Sequence, residues 1–352
     1  MHMAKNILSK YASLDKDRID IFRRPRYKLF KTLLSSACRL DCLYCPLSIY
    51  CRFRRDSWDL RELVDTFINN YRARRVDGLF LTSTLYNDPD RVVEREIEVV
   101  EELRKRGYRG YIHLRLMPGV SRDLLFHAAV HADRIGINVE APRTVFKEVA
   151  PSKGDWLQDI IKRLEWLISL KNRFQKGLTR KPGYISRGID TQFVLGASNE
   201  TDLEVLRTAW MLLKMGVDRI YISGYRPYKG TPLEHKRPTP KWRTLRVIQA
   251  IELMRVYGFT FNEIKELLNE QELLPNKDPK ILYAEKNKHL YPVDLNNDPY
   301  ELIIKVPGIG PKTAMKIIKL RVEKGKITKA DLLKILSYNR FKRAIRYVVV
   351  LD

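Results

Sequence analysis

Apolar residues along the chain follow two alternating rhythms. Short β-branched or apolar runs read as strands: YKLFKTLL (27–34), GLFLT (78–82), GYIHLRL (110–116), RIGINV (134–139), DTQFVL (190–195) and RIYIS (219–223). Between them lie LRELVDTFINNYRARR, RVVEREIEVVEELRKRG, SRDLLFHAAVHA, WLQDIIKRLEWLISLKNRF and NETDLEVLRTAWMLLKMG, with apolar residues at helical spacing. Several open at Ser, Asp or Asn, and Gly107 and Gly216 close two of them. The alternation predicts a parallel sheet, as an open doubly wound sheet or a barrel. The polar, Gly- and Pro-rich segments follow the strand ends: the cysteine loop, STLYNDPD, MPGVS, EAPR, GASNE and GYRPYKGTPL. In a parallel α/β barrel that edge carries the active site.

After KGTPLEHKRPTP the rhythm changes. KWRTLRVIQAIELMRVYGF reads as one long basic helix, and NEQELLPNKDPK is a turn-rich boundary. The expected organisation is an α/β domain over 1–240, a helical linker over 241–290 and a small all-α domain over 291–352. No apolar run reaches the roughly 18 residues of a membrane span, and the N-terminus lacks a secretory h-region.

Apolar content of 44% is enough for a full core. Charge alters the picture more: 66 Lys and Arg stand against 42 acidic residues, a net +24. Such an excess fits either a solvated, charge-rich surface or a polyanionic partner.

All four cysteines fall within ACRLDCLYCPLSIYC (37–51), just after the first strand. With no export signal, such clustering points to reduced thiols and a cytoplasmic protein. Thiolates select iron–sulfur clusters or zinc. Structural zinc usually draws on two separated knuckles, whereas one short loop can hold three irons of a [4Fe–4S] cube and leave the fourth open. Tyr44 precedes Cys45, where an aromatic can pack beside that open iron. Cys51 is open between a fourth ligand, which would close the cluster, and an idle or redox-active thiol.

CRLDCLYC is similar to the CxxxCxxC signature of the radical SAM superfamily. The resemblance implies a partial (β/α)6 TIM-type barrel and a [4Fe–4S] cluster on Cys38, Cys42 and Cys45. It also implies S-adenosylmethionine on the open iron, cleaved by one electron to a 5′-deoxyadenosyl radical; the cofactor carries the hard chemistry. By the same resemblance Thr82, Ser83 and Thr84 stand where a Gly-Gly-Glu-like motif meets the methionine amine, and the residues depart from that motif. Asn138 and Glu140 stand where ribose hydroxyls are held, and Gly196 and Glu200 lie in a motif along the adenine. Glu200 also reads as a simple helix cap. His113, Arg115, Tyr225 and Arg226 are candidates for the barrel mouth.

DPYELIIKVPGIGPKTAMKIIKLRV (298–322) predicts a helix, a Pro-Gly-Ile-Gly turn and a second helix opened by Pro311. Backbone N–H groups at that turn, the helix dipole and Lys312 make an anion site. The segment resembles the helix-hairpin-helix motif, which grips the phosphate backbone without reading sequence. The resemblance places nucleic-acid contacts at Gly308, Ile309, Gly310, Lys312, Thr313 and Lys316. KADLLKILSYNRFKRAIRYVVV reads as a degenerate second copy. A protein–protein hairpin is the competing reading.

Basic residues also flank the cysteine loop: Arg23, Arg24, Arg26, Lys28 and Lys31 before it, and Arg52, Arg54 and Arg55 after it. Through GYIHLRLMPGVS, ADRIGINVEAP, QFVLGASNETD and YRPYKGTPL, together with VDLNNDPYELIIKVPGIG, the chain resembles the DNA modification or repair radical SAM proteins whose genes are linked to a uracil-DNA glycosylase family member. The expected function is a radical SAM enzyme acting on nucleic acid, duplex DNA first. The resemblance implies a ferredoxin- or flavodoxin-type electron donor and brings a uracil-DNA glycosylase family protein in as a partner. The alternatives are radical modification of RNA such as tRNA, or a non-enzymatic four-cysteine zinc protein that binds DNA. A helix-hairpin-helix glycosylase is disfavoured, because the cysteines precede the hairpin here.

Overall fold

The computed structural model describes residues 8–10, 28–177 and 182–351; Arg23, Arg24 and Arg26 lie outside them. Six strands form one parallel sheet in the order in which they occur. They are β1 (Leu29–Leu33), β2 (Gly78–Thr82), β3 (Tyr111–Arg115), β4 (Arg134–Gly136), β5 (Ile189–Leu195) and β6 (Arg219–Gly224). Consecutive order with a helix after each strand gives a half-barrel. The helices are α1 (Leu60–Arg72), α2 (Pro89–Lys105), α3 (Arg122–His131), α4 (Lys162–Lys176), α5 (Asp202–Met215) and α6 (Lys241–Val256).

Local signals set the helix starts. The Asp59 carboxylate caps α1 by accepting from Glu62 N at 3.1 Å. Asp88 does the same for α2, whose first residue is Pro89. The buried stripe of α2 carries Val92, Val93, Ile97, Val100 and Leu103. Each such side chain contributes about 1.5–3 kcal/mol on burial. Leu79, Leu81, Ile112, Leu114, Ile135 and Phe193 supply the strand side of the core.

Two boundaries depart from the sequence pattern. WLQDII opens as a π-helical turn (Trp156–Ile161) before α4, capped by Asp155. The expected fourth strand, 134–139, keeps its ladder only to Gly136. The chain then bulges and rejoins the sheet at Glu140, which bridges to Phe193. Glu140 N donates to Gln192 O at 2.9 Å, and Val194 N to Glu140 O at 2.7 Å. The Thr191 hydroxyl fills the gap, accepting from Val139 N at 3.1 Å and donating to Ile137 O at 2.7 Å. Glu140 itself sits at φ 60°, a conformation costly for a side-chain-bearing residue.

The chain divides into two compact units: one takes in the residues up to Glu200 and Met211–Thr244, the other Thr201–Trp210 and the residues from Leu245 onward. The second unit contains α7 (Phe261–Lys265), α8 (Pro279–Lys286), β7 (Val293–Asp294), α9 (Tyr300–Ile303), α10 (Pro311–Lys324), α11 (Lys329–Ile335), α12 (Tyr338–Ala344) and β8 (Val348–Val349). Its helices enclose Leu295, Ile303, Val306, Ile309, Ile317, Ile327 and Leu332. The parallel pair β7–β8 adds a small ladder to a segment read as all helical. Among the described residues no helix is long and apolar enough to cross a membrane.

Candidate active site and nucleic-acid-binding hairpin

The loop after β1 carries Cys38, Cys42 and Cys45 to the wall of one cavity of about 290 Å³ at the C-terminal ends of the strands. One side chain shapes that loop. Arg55 Nη1 donates to Ser36 O and Leu47 O, both at 2.8 Å; its Nη2 donates to Ser48 O at 2.8 Å and Cys51 O at 2.9 Å. The sequence places Arg55 with the basic residues beside the loop, as a cation for a partner; its guanidinium is instead spent on the loop itself. Leu40 N points to Cys38 Sγ at 3.5 Å and Leu47 N to Cys45 Sγ at 3.4 Å, so each sulfur accepts from a backbone N–H of its own loop.

Burial pushes the Cys45 thiol up to about 12 and lifts Cys42 further. Such thiols are poor nucleophiles near neutral pH and surrender their protons to a metal. Among the described residues no three His, Cys, Asp or Glu side chains converge on a point that one ion could occupy. A cube that takes each ligand on a separate iron spaces its sulfurs more widely than a single ion does. Cys51 stays outside the cavity lining, buried, with its thiol donating to Lys229 O at 3.9 Å.

Thr82, Ser83, Thr84, Asn138, Glu140 and Tyr44 share the cavity wall. Thr82 Oγ1 donates to Arg115 O at 3.2 Å, and Thr84 Oγ1 ties back to Ala37 O at 2.7 Å. Ser83 Oγ is buried without a partner, the one hydroxyl of the three left for a ligand. Gly196 and Glu200 lie outside the lining. The Glu200 carboxylate accepts from Gly196 N and Ser198 Oγ, capping its own loop.

Several residues escape a reading of the sequence. Lys153 reaches the cavity and pairs with Glu140, to which the Tyr44 phenol is also hydrogen-bonded. Burial opposes the Lys153 charge, but Glu140 and the nearby cysteine sulfurs outweigh it and hold the ammonium well above its usual range. Nothing in VAPSKGD signals this, since Glu140 meets it only through the bulge after β4. Asp190, a charge at the head of an apolar run, is legible as an anomaly. Its carboxylate is fully buried, 2.6 Å from Arg115 Nη2, 2.9 Å from His113 Nε2 and 3.9 Å from Arg134 Nη1. A Cβ at Gly136 would fall 2.0 Å from Asp190 Oδ1, so only glycine leaves room. Burial pulls His113 down to about 4 despite Asp190, so the imidazole is neutral near pH 7. Arg115 also donates to Asn138 Oδ1 and thereby orients it.

In the second unit, α9 leads through Pro307-Gly308-Ile309-Gly310 into α10. Gly308 adopts φ 92°, and a Cβ there would meet Arg340 O at 2.8 Å. Arg340 Nε donates to Gly308 O at 2.9 Å, so α12 braces the turn. Ile309 is buried, and its carbonyl accepts from Lys280 Nζ. Burial pushes the Lys280 ammonium down to about 7. Thr313 is buried, its Oγ1 3.4 Å from Arg340 Nη2. Lys312 and Lys316 are exposed on the first turns of α10.

Residues 290–341 match the family described as the helix-hairpin-helix motif. The C-terminal segment carries a helix-hairpin-helix motif. Over 240 residues, 66% of its length, the chain is 28% identical to a biotin synthase of Hydrogenobaculum sp. (strain Y04AAS1), of which it covers 63%. It therefore spans less than two thirds of that relative. Among solved structures, methylornithine synthase (PylB) is 19% identical with a TM-score of 0.46, over 65% of this chain and 64% of that one. The [FeFe]-hydrogenase maturase HydG from Carboxydothermus hydrogenoformans is 16% identical with a TM-score of 0.49, over 63% and 50%. A radical S-adenosylmethionine methyltransferase, TsrM from Kitasatospora setae, was solved with cobalamin and a [4Fe–4S] cluster; it is 14% identical with a TM-score of 0.42, over 57% and 35%. The half-barrel carries its cysteine loop after β1, and the helix-hairpin-helix motif follows it in the chain.

Proposed function

We propose that the protein is a radical S-adenosylmethionine enzyme that modifies or repairs a nucleic acid, DNA before RNA. The observation that carries this reading is the cavity at the strand ends, where three closely spaced thiols share a wall with an orphaned buried hydroxyl. The donor set is soft and fits a [4Fe–4S] cluster, and the Ser83 hydroxyl and the Lys153–Glu140 pair fit the polar groups of S-adenosylmethionine. Cys38, Cys42 and Cys45 would hold the cluster; Lys153 would face a carboxylate, Ser83 an amine, and Glu140 with Asn138 the ribose. Bound there, the cluster and S-adenosylmethionine supply an electron and a carbon-centred radical able to take a hydrogen atom from substrate. The protein positions both and shields the cavity from water. Gly308, Gly310, Lys312 and Lys316 would hold the phosphate backbone. The reading includes a ferredoxin or flavodoxin as electron donor, a uracil-DNA glycosylase family protein as partner, and a cytoplasmic setting.

The test is anaerobic. The chain is reconstituted with iron and sulfide, reduced and given S-adenosylmethionine, and 5′-deoxyadenosine is quantified alone, with duplex DNA and with tRNA. A rise with DNA is expected. A rise with tRNA alone would move the substrate to RNA, and no product in any arm would overturn the enzyme.

A further inference from the structure

We propose that the segment running from the end of β6 into the first turn of α6, residues 225–243, is a rim that binds a DNA strand and presents one unpaired nucleotide to the cavity. This rests on the proposed function and adds how its substrate is held. Tyr225, Arg226, Tyr228, Thr239 and Lys241 from this segment line the cavity. The segment holds Arg226, Lys229, Lys236, Arg237, Lys241 and Arg243 against a single acid, Glu234. Two of these cations fasten the rim to its own unit: Lys236 Nζ donates to Ser198 O at 3.0 Å, and Arg243 Nη2 to Glu200 O at 2.9 Å. Arg226, Lys229, Arg237 and Lys241 are exposed.

The rim is pinned along its length. Thr239 N donates to Tyr225 O at 2.9 Å and Thr239 Oγ1 to Leu195 O at 2.6 Å. Thr231 Oγ1 donates to Tyr228 O at 2.7 Å, and Gly230 N to Glu234 Oε2 at 2.6 Å. Four exposed cations are thus displayed on a fixed backbone around a cavity whose only lining carboxylate among the described residues, Glu140, is already paired with Lys153. Cations around a mouth suit successive phosphates. Half-buried Tyr228, in the wall, offers a face on which a base stacks. A base inside a duplex cannot reach the cysteines at the cavity wall, so the fitting occupant is a nucleotide outside the stack.

The experiment compares the cluster-loaded full chain on three DNA duplexes (fully paired, with a one-nucleotide bulge, and with a single-stranded gap), each titrated over a range of salt. The bulged and gapped forms are expected to bind more tightly than the paired one. Arg226→Ala/Lys241→Ala, and separately Arg237→Glu outside the cavity lining, should lower the slope of log affinity against log salt by about 0.7–0.9 for each phosphate no longer neutralised. Tyr228→Ala should cut the preference for unpaired DNA by about fivefold or more. Iron loading equal to wild type shows that the variants are folded. Unchanged slope and preference in all of them, with binding abolished by Lys312→Ala/Lys316→Ala, would overturn the rim and leave the nucleic-acid reading standing. Binding of the same forms in RNA but not in DNA would overturn the DNA occupant. A wild-type chain that binds no nucleic acid would overturn both.

Discussion

Arg55 gives four hydrogen bonds to backbone carbonyls of the cysteine loop. A hydrogen bond involving a charged group contributes about 1.5–3 kcal/mol, and lysine cannot reproduce the planar fork. Arg55→Lys is therefore expected to cost about 2 kcal/mol or more and to lower the iron retained per chain after reconstitution; full iron content at an unchanged thermal midpoint would contradict this. Glu96 is the opposite case, a carboxyl on α2 with both oxygens buried and unpartnered. Burial pushes it well above the usual carboxylate range, so it is neutral in the folded chain. The unfolded chain ionises it from about pH 4.5. Its folded pKa is the higher one, so stability present below that pH is lost as pH rises toward the folded value. Glu96→Gln should raise the thermal midpoint more at about pH 8 than at about pH 5; a gain independent of pH would refute the assignment. The cysteine spacing was legible because it is local. Lys153 and Arg55 were not, because what they do depends on partners that the fold delivers.

At the scale of elements, the strand–helix alternation was legible because each element's apolar period announces it. The break in the fourth strand was not: RIGINV reads as continuous, and the bulge depends on Thr191, contributed by β5. The hairpin turn was legible in its glycines, but not the arginine that braces it from α12. Gly308→Ala should force the φ 92° turn open against Arg340 O. The expected cost is roughly 1–3 kcal/mol in denaturant unfolding, with weakened DNA binding. Wild-type stability and affinity would show that the turn is not held as described.

For the whole molecule, the net +24 overstates the cations available to a partner. Arg55, Lys236, Arg243 and Arg340 are each turned onto carbonyls of the chain itself, and so is Arg321, whose Nη1 donates to Asp298 O at 2.8 Å. Composition could announce an excess but not its distribution. Affinity for DNA should still fall linearly on a log–log salt plot, and Lys312→Ala/Lys316→Ala should reduce the slope by about 0.9 for each phosphate left without its cation. A full-length slope near zero would leave the charge without a polyanionic partner.

The four bonds that Arg55 gives the cysteine loop end on carbonyls and not on the sulfurs. Damage to an iron–sulfur centre by oxygen need not then cost the cell the polypeptide. With the proposed cluster lost, those bonds would still hold the loop's form, and the same chain could be refilled instead of being made anew.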